Sequence, residues 1–453
     1  MIDFSLFRRE LGLLTRLATP LLVAQTLTTA TGVVDAMMSG HYSAEALAAV
    51  AVGNSLWLPL YLLISGLLIA STSMVARFHG SRNHNGIVTT VQQSIWLAIA
   101  VSLFAVWLLR HSSGLLTLVG VKPDIVPVTQ GYLSAFAWGM PAAAIFNGLR
   151  SYTEGMGRTQ PYMLSSLIAF IVNIPMNYVL IYGLWGFPEL GAVGCGWATA
   201  ISFWIQVILL VWFTSSKTNY NGIQLFARWH KPNLQHIIRI ARLGLPISMA
   251  AVAEVSIFSL IALLVARLGI EVTAGHQIAL SSSHLIFMLP LALSQAVTIR
   301  VGYYLGRGDQ RLANTIVAVG LTAAIALSAT TMSGILLFRE NIIGLYTEDM
   351  TVRLIAMSLF FWMAVYQIPD HLQIISNAAL RAYHDTRVPM ILILITYWGI
   401  ALPVGYCLGL TDWLTAKPLA AKGFWMGLTI GLSTTCCLLL MRLWKVTRRP
   451  LPA

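Results

Sequence analysis

An all-α integral membrane protein, with twelve transmembrane helices in two six-helix lobes related by a pseudo-twofold axis along the membrane normal, is the fold that this sequence predicts. Three observations predict it. Only 10% of the 453 residues are charged, 57% are hydrophobic and the mean hydropathy is +0.75, whereas a soluble domain carries about a quarter charged residues. Twelve apolar runs follow one another down the chain, each long enough to cross roughly 30 Å of hydrocarbon as a helix. Finally, the chain repeats itself at an offset of 226: Pro20 falls on Pro246, Glu45 on Glu271, Ala48 on Ala274, Ser55 on Ser281, Thr72 on Thr298, Val75 on Val301 and Gly80 on Gly306. Duplicated bundles facing each other across a shared path are a common way to move solutes through a membrane.

The spans lie near residues 13–38, 45–76, 90–110, 124–150, 160–186, 191–214, 238–266, 271–299, 312–338, 350–380, 388–410 and 420–443. The first is too long for a signal-peptide core and has no A-x-A-like cleavage site, so it reads as a mature helix. Pro20 and Pro246 read as first-turn prolines of matched helices. With a cytoplasmic N-terminus, 21 of the 28 Lys and Arg fall in cytoplasmic segments, among them Arg8, Arg9, Arg16, Arg77, Arg82, Arg150, Arg158, Lys217, Arg228, Lys231, Arg300 and Arg307. This positive-inside bias places both termini in the cytoplasm and accounts for the net charge of +12 without nucleic acid. The basic stretch 215–236 is the linker, with an N-lobe at 1–214 (helices 1–6) and a C-lobe at 237–453 (helices 7–12). Six spans per half give both halves one orientation, so a cavity could open between them to one side.

Cys195, Cys407, Cys436 and Cys437 lack C-x-x-C spacing, and the ten histidines show no H-E-x-x-H pattern. They give no support for a metal site or for metal catalysis.

Intramembrane polar groups carry the chemistry. Asp35, Glu254 and Asp370 fall inside apolar spans one, seven and ten, where a bare carboxylate costs several kcal/mol unless protonated, paired or wetted. Such acids are candidate ion or proton sites, the plainer reading being interhelical hydrogen bonds of the neutral acid. Gln25, Thr28, Thr31 and Asp35 line one helix face at spacings of three, three and four. Asn173 and Asn177, four apart around Pro175 in VNIPMNY, offer a partner helix; amides and a carboxylate suit a small hard cation or a proton relay, and also serve as packing glue. In the second half Tyr366, Asp370, Gln373 and Asn377 share a face, and Pro369 releases the carbonyl of Val365 for another partner. Glu254 stands among small and apolar residues (SMAAVAEVSIF), and Gln277, Ser281 and His284 add a polar face to span eight, His284 reading as a hydrogen-bonded interior histidine. Abundant Trp, Phe and Met are mostly lipid contact and packing, although a cavity lined by some would favour flat cationic, amphipathic ligands.

The sequence resembles the multidrug and toxic compound extrusion family, and within it the NorM-type bacterial pumps, over nearly its whole length. The resemblance is carried by TATGVVDAMMSGHYSAEALAAVAVGNSLW around Asp35, FIVNIPMNYVLIYGLWGFPELGAVGCGWATA, GLPISMAAVAEVSIF around Glu254, AGHQIAL, AVTIRVGYYLG, and AVYQIPDHLQ through Asp370 with LRAYHDTRVP after it. It implies two six-helix lobes in a bacterial inner membrane exporting organic cations and amphipathic drugs in exchange for Na⁺ or H⁺, with no other cofactor and no enzymatic step. It also implies Asp35, Asn173, Asn177 and Thr199 as an N-lobe cation or proton site, and Glu254, Asp370 and Tyr366 as a C-lobe site. The expected partners are cationic drugs and the bilayer, with the monomer as the working form. Two rivals are weaker. A flippase for lipid-linked precursors would be expected to show a basic cavity, yet the intramembrane charges are acidic, and an intramembrane enzyme would have to pair Asp35 with Asp370 without any flanking nucleophile context.

Overall fold

The computed structural model describes residues 4–215, 220 and 223–450, and among these every regular element is helical. The helices are α1 (Phe4–Tyr42), α2 (Ala44–Gly80), α3 (His84–Arg110), α4 (Ser113–Leu118), α5 (Ile125–Ala137), α6 (Met140–Gly155), α7 (Gln160–Tyr182) and α8 (Ala192–Ser215) in the first half. The second half has α9 (Leu234–Val265), α10 (Ile270–Gly306), α11 (Gln310–Gly344), α12 (Met350–Ala382), α13 (Arg387–Thr396), α14 (Leu402–Leu410) and α15 (Ala421–Thr447), with a short 3₁₀ turn after α9 and a π-turn at Tyr397–Ala401 joining α13 to α14. Lys217 and the linker residues 216–219, 221 and 222 lie outside the described residues.

Eleven of these segments are long and apolar enough to cross a membrane, counting α13 to α14 as one. The expected span at 124–150 differs, being made from two shorter helices, α5 and α6, that break at Trp138–Gly139. Gly139 lies so close to α8 that a Cβ there would stand 2.8 Å from the Cα of Ala200, and Pro141 in the first turn of α6 suits a restart rather than a continuation.

The prolines correct another expectation. Pro20 and Pro246 lie inside α1 and α9, not in their first turns. Both helices begin before their expected spans, at Phe4 and Leu234, because charged residues such as Arg8, Arg9, Glu10 and Arg16 of α1 are no obstacle to a helix that leaves the membrane. The described residues fall into two compact units. One runs from Thr19 to Ser248, and the other joins the chain before Thr19 to the chain after Ser248. Each boundary lies within two residues of one of these prolines.

The 226-residue repeat is visible in the element bounds themselves. α2 and α10 both have 37 residues and begin 226 apart, and α3 and α11 begin 226 apart as well. The caps agree: the Asn83 side chain accepts from the Gly86 N–H at 2.8 Å, and Asp309 accepts from the Leu312 N–H at 2.9 Å. Just before each cap the chain turns left-handed, through Arg82 at φ 56° and through Gly308 at φ 77°.

The Thr19–Ser248 unit packs around Ala49, Leu68, Ala98, Leu133, Phe136, Ala144 and Ile181. In the other unit one core gathers Ile257, Phe360, Met363, Phe424 and Trp425, and a second gathers Leu14, Val297, Val301, Ile316, Ile375 and Leu439. α15 meets α14 and the π-turn before it through Gly423, Gly427 and Gly431, spaced four apart; a Cβ on Gly427 would lie 2.4 Å from the backbone nitrogen of Gly405. Without a hydrophobic drive between helices in lipid, such small-residue seams supply attraction by close van der Waals contact.

Candidate functional sites at three buried carboxylates

Each unit buries its own acids. In the Thr19–Ser248 unit Asp35 is 5% exposed near the end of α1. Two neighbouring helices close on it. The Nδ2 of Asn177 on α7 donates to its Oδ1 at 2.6 Å and to the Oδ1 of Asn173 at 2.9 Å, and the Thr199 hydroxyl on α8 donates to its Oδ2 at 2.8 Å. Each carboxylate oxygen therefore has a donor. Asn173 and Asn177 are fully buried, and the Oδ1 of Asn177 and Nδ2 of Asn173 are left without a protein partner. α8 reaches α7 because Gly194 lies against Leu180, where a Cβ would be 2.4 Å from the Leu180 carbonyl oxygen. Five residues later Thr199 meets Asp35. All four residues expected at this site are brought together.

The rest of the α1 polar stripe does something plainer. The hydroxyls of Thr28 and Thr31 donate to the carbonyls of Ala24 and Leu27 in the preceding turn, at 2.9 and 3.0 Å. Gln25 is half-buried, with its Oε1 unpartnered.

The second unit holds two acids. Asp370 is 5% exposed on α12, and its Oδ2 is buried with no hydrogen-bond partner. Glu254, half-buried on α9, lies within electrostatic reach of Asp370 and of Arg381 further along α12. Glu254 receives the Gln373 amide at 3.3 Å, the same Nε2 donating at 2.8 Å to the Tyr397 hydroxyl in the π-turn. Tyr366 is fully engaged elsewhere: its hydroxyl shares a short hydrogen bond with Ser283 on α10 and its ring meets Trp425 edge-on at 5.7 Å. Trp425 Nε1 in turn donates to His276 Nδ1 at 3.2 Å. Glu254, Asp370, Tyr366 and Gln373 are thus one neighbourhood, with Asn377 half-buried further along α12.

Two expectations on α10 change. Gln277 and Ser281 bond to each other at 3.3 Å and line an open cleft of about 320 Å³ with Tyr346 and Thr347. His284 is exposed, edge-on to Phe258 at 6.3 Å, and so is not an interior histidine. The face of α10 that reaches the acids is that of His276 and Ser283, seven residues and two turns apart. Sequence reasoning missed Ser283, because it sits in a run of three serines whose facing a helical count alone does not fix. Tyr397 was missed because it lies on a separate helix with no polar neighbour at helical spacing; its one local signal was the Gly399 to Pro403 stretch that accompanies the π-turn, a feature frequent at functional sites.

Among the described residues no group of three or more His, Cys, Asp or Glu could hold a metal ion. What both sites offer is oxygen. Carboxylates, amide carbonyls and hydroxyls suit a proton or a small hard cation, and unpartnered oxygens such as Asp370 Oδ2 and Asn177 Oδ1 have room in their bonding for one.

Comparison with known proteins gives the family and the fold. The MatE family profile matches residues 20–179 and again 246–407, once in each half. The chain belongs to the MatE family. Among curated MatE relatives, the multidrug resistance protein PmpM of Pseudomonas aeruginosa is 44% identical over 445 residues, covering 98% of this chain and 93% of that protein. The multidrug resistance protein NorM of Vibrio cholerae is 40% identical, covering 98% and 97%. Solved structures of the same fold include the eukaryotic MATE transporter AtDTX14, with a TM-score of 0.84 at 18% identity and 98% coverage of both chains, and a MATE in the bent conformation, with 0.87 at 20% identity and 98% and 97% coverage. These neighbours share the twelve-helix, two-lobe fold.

Proposed function

We propose that this MatE protein is a secondary antiporter of a bacterial inner membrane that exports cationic and amphipathic drugs in exchange for Na⁺ or H⁺. Relatives at 44% and 40% identity along nearly the full chain are named multidrug resistance proteins. The observation that carries the coupling mechanism is the burial of carboxylates in both units, at Asp35 and at the Glu254–Asp370 pair.

In the outward-open state a coupling ion is taken up at the carboxylates. Neutralising them weakens their hold on a bound cationic drug, which leaves. The ion-loaded protein turns inward, releases the ion, and regains charge and drug affinity. Drug and ion must each differ in affinity between the two states, or no pumping follows. Each elementary charge crossing 100 mV is worth about 2.3 kcal/mol, so coupling ions beyond one-for-one exchange draw on the potential as well as on the gradient. Asp35, Asn173, Asn177 and Thr199 form the first ion or proton site in this reading, and Glu254, Asp370 and Tyr366 the second. The protein works as a monomer, with both termini cytoplasmic.

Purified protein in liposomes tests this directly. With a sodium gradient and a proton gradient imposed separately, ethidium accumulates against its own gradient under at least one of them, chemically unchanged. Accumulation under neither sinks the antiport reading. In energised cells Glu45→Gln, an exposed position in the first turn of α2, leaves efflux near wild type at equal membrane levels, while Glu254→Gln lowers it severalfold.

A further inference from the structure

The chain from Ile223 to Asn233, just before α9, is held as a strap along α3. Ile223 and Leu225 are buried at 5% and 1% exposure. Two buried glutamines of α3 then pair with the strap backbone. Gln92 Nε2 donates to the carbonyls of Leu225 and Arg228 at 2.7 and 2.8 Å, and its Oε1 accepts from the His230 N–H at 3.0 Å. Gln93 Nε2 donates to the Lys231 carbonyl at 3.0 Å, its Oε1 accepts from the Asn233 N–H at 2.7 Å, and Trp96 Nε1 donates to the His230 carbonyl at 3.1 Å. Two amides buried only to bind a loop fix its shape, and nothing in the transport cycle above uses that shape.

What the strap turns outward is a combination of aromatic rings and positive charge. Phe226 and Trp229 are 37% and 45% exposed and stack with ring centroids 6.2 Å apart, and Trp96 meets Trp229 edge-on at 6.1 Å. Arg228 and Lys231 are exposed beside them, followed on α9 by exposed Arg239 and Arg242. The sequence has no acidic residue between Glu189 and Glu254. The apolar exposed row of α9 starts at once, with Leu234 at 70%, Ile238 at 47% and Leu245 at 55%. The charges of Arg239 and Arg242 among these apolar residues keep this end of α9 at the membrane interface, so the strap just before it lies at headgroup level. Rings at that depth match the aromatic belt, and the basic charge matches the cytoplasmic leaflet.

We propose that the strap from Phe226 to Lys231 is a binding site for anionic phospholipid headgroups. Arg228 and Lys231 meet the phosphate and the net negative charge, the Phe226–Trp229 pair sits at the boundary between headgroup and acyl chain, and the row from Leu234 onward takes the chain itself. A free phosphate ion would use only the first of these three contacts. A lipid uses all of them.

The test reconstitutes the full chain in phosphatidylcholine vesicles containing phosphatidylglycerol, with bromine on the acyl chains of one lipid or the other, and reads the quenching of tryptophan fluorescence attributable to Trp96 and Trp229 by difference from Trp96→Phe/Trp229→Phe. Wild type is quenched at least twofold more per brominated phosphatidylglycerol than per brominated phosphatidylcholine. Arg228→Gln/Lys231→Gln loses more than half of that excess, and Ala227→Glu, which puts an acid on the exposed strap, loses more. Lys422→Gln, a charge at the other membrane face by the same bias, keeps it. Equal quenching by the two lipids overturns the proposal, as does a double variant that retains the full excess. Loss of the excess on adding inorganic phosphate at low millimolar concentration overturns it too, since it would mark a site for the free anion.

Discussion

Asp35 and Asp370 are equally buried, each 5% exposed, but their surroundings differ in one respect that decides what each can do. Both oxygens of Asp35 accept a hydrogen bond from a fixed neutral donor, Asn177 or Thr199. Asp370 has an oxygen with no partner, and its neighbour is a second acid. The Gln373 amide of α12 goes to Glu254 and Tyr397 instead. Donors that satisfy a carboxylate let it stay charged in a dry site, whereas a buried oxygen without a partner beside a like charge demands a cation or a proton. On the proposed mechanism, the first site holds its acid with fixed donors and the second leaves an oxygen for the coupling ion. Two halves that share helix starts, a cap and a turn at the 226-residue offset differ around their buried acids.

The sharpest way to break this contrast is to neutralise each acid in turn. Asp370→Asn is expected to lower gradient-driven ethidium transport in liposomes at least tenfold and to leave the remainder insensitive to the imposed ion gradient. Asp35→Asn can still accept from Asn177 and face Thr199, so it keeps its neighbours while losing its charge; it is expected to lower transport three- to tenfold with gradient dependence retained. The reverse order, with Asp35→Asn insensitive to the gradient and Asp370→Asn still driven by it, would mean that the unpartnered oxygen of Asp370 is not where coupling occurs.

A smaller effect should follow from removing a donor instead of an acid. Thr199→Val keeps the volume and deletes the hydroxyl that serves Asp35 Oδ2 at 2.8 Å. A buried group left without its partner costs about 1–3 kcal/mol, more where it is charged. In detergent the thermal midpoint of Thr199→Val should fall by several degrees, and the fall should be smaller in the Asp35→Asn/Thr199→Val background relative to Asp35→Asn alone, where the lost partner serves a neutral amide. Equal falls in both backgrounds would show that Thr199 supports the helix packing and not the carboxylate.

How far the sequence could be read follows from the same physics. The duplicated scaffold was legible because hydrophobic runs and identities at a constant offset need no knowledge of packing, and α2 and α10 reproduce that offset to the residue. The Asp35 site was legible once the family resemblance placed Thr199 beside an acid and two amides that already stood out in apolar helices. The second site was only half legible. Its acids and the Tyr366 to Gln373 face stood out at helical spacing, whereas Ser283 and Tyr397 come from other helices, and which face of α10 turns inward depends on a rotation that spacing alone leaves open. The prolines were misread for a related reason: a charged start such as that of α1 looks like a loop in composition, yet it continues as a helix beyond the membrane.

The weakest expected effect tests the divergence where the two halves otherwise agree. Before the caps at Asn83 and Asp309 the backbone takes the left-handed conformation, at Arg82 in the first half and at Gly308 in the second. An L-residue there costs roughly 1–2 kcal/mol from contact between Cβ and the carbonyl oxygen, and glycine escapes that strain while losing about 0.5–1 kcal/mol to the greater freedom of its unfolded chain. Arg82→Gly should therefore raise the thermal midpoint by a degree or two and leave efflux unchanged, and Gly308→Arg should lower it by a similar amount. A fall in Arg82→Gly would show that the arginine side chain contributes more at the α2–α3 turn than its backbone strain costs, and that this turn, like the acid sites, has diverged in its energetics while keeping its shape.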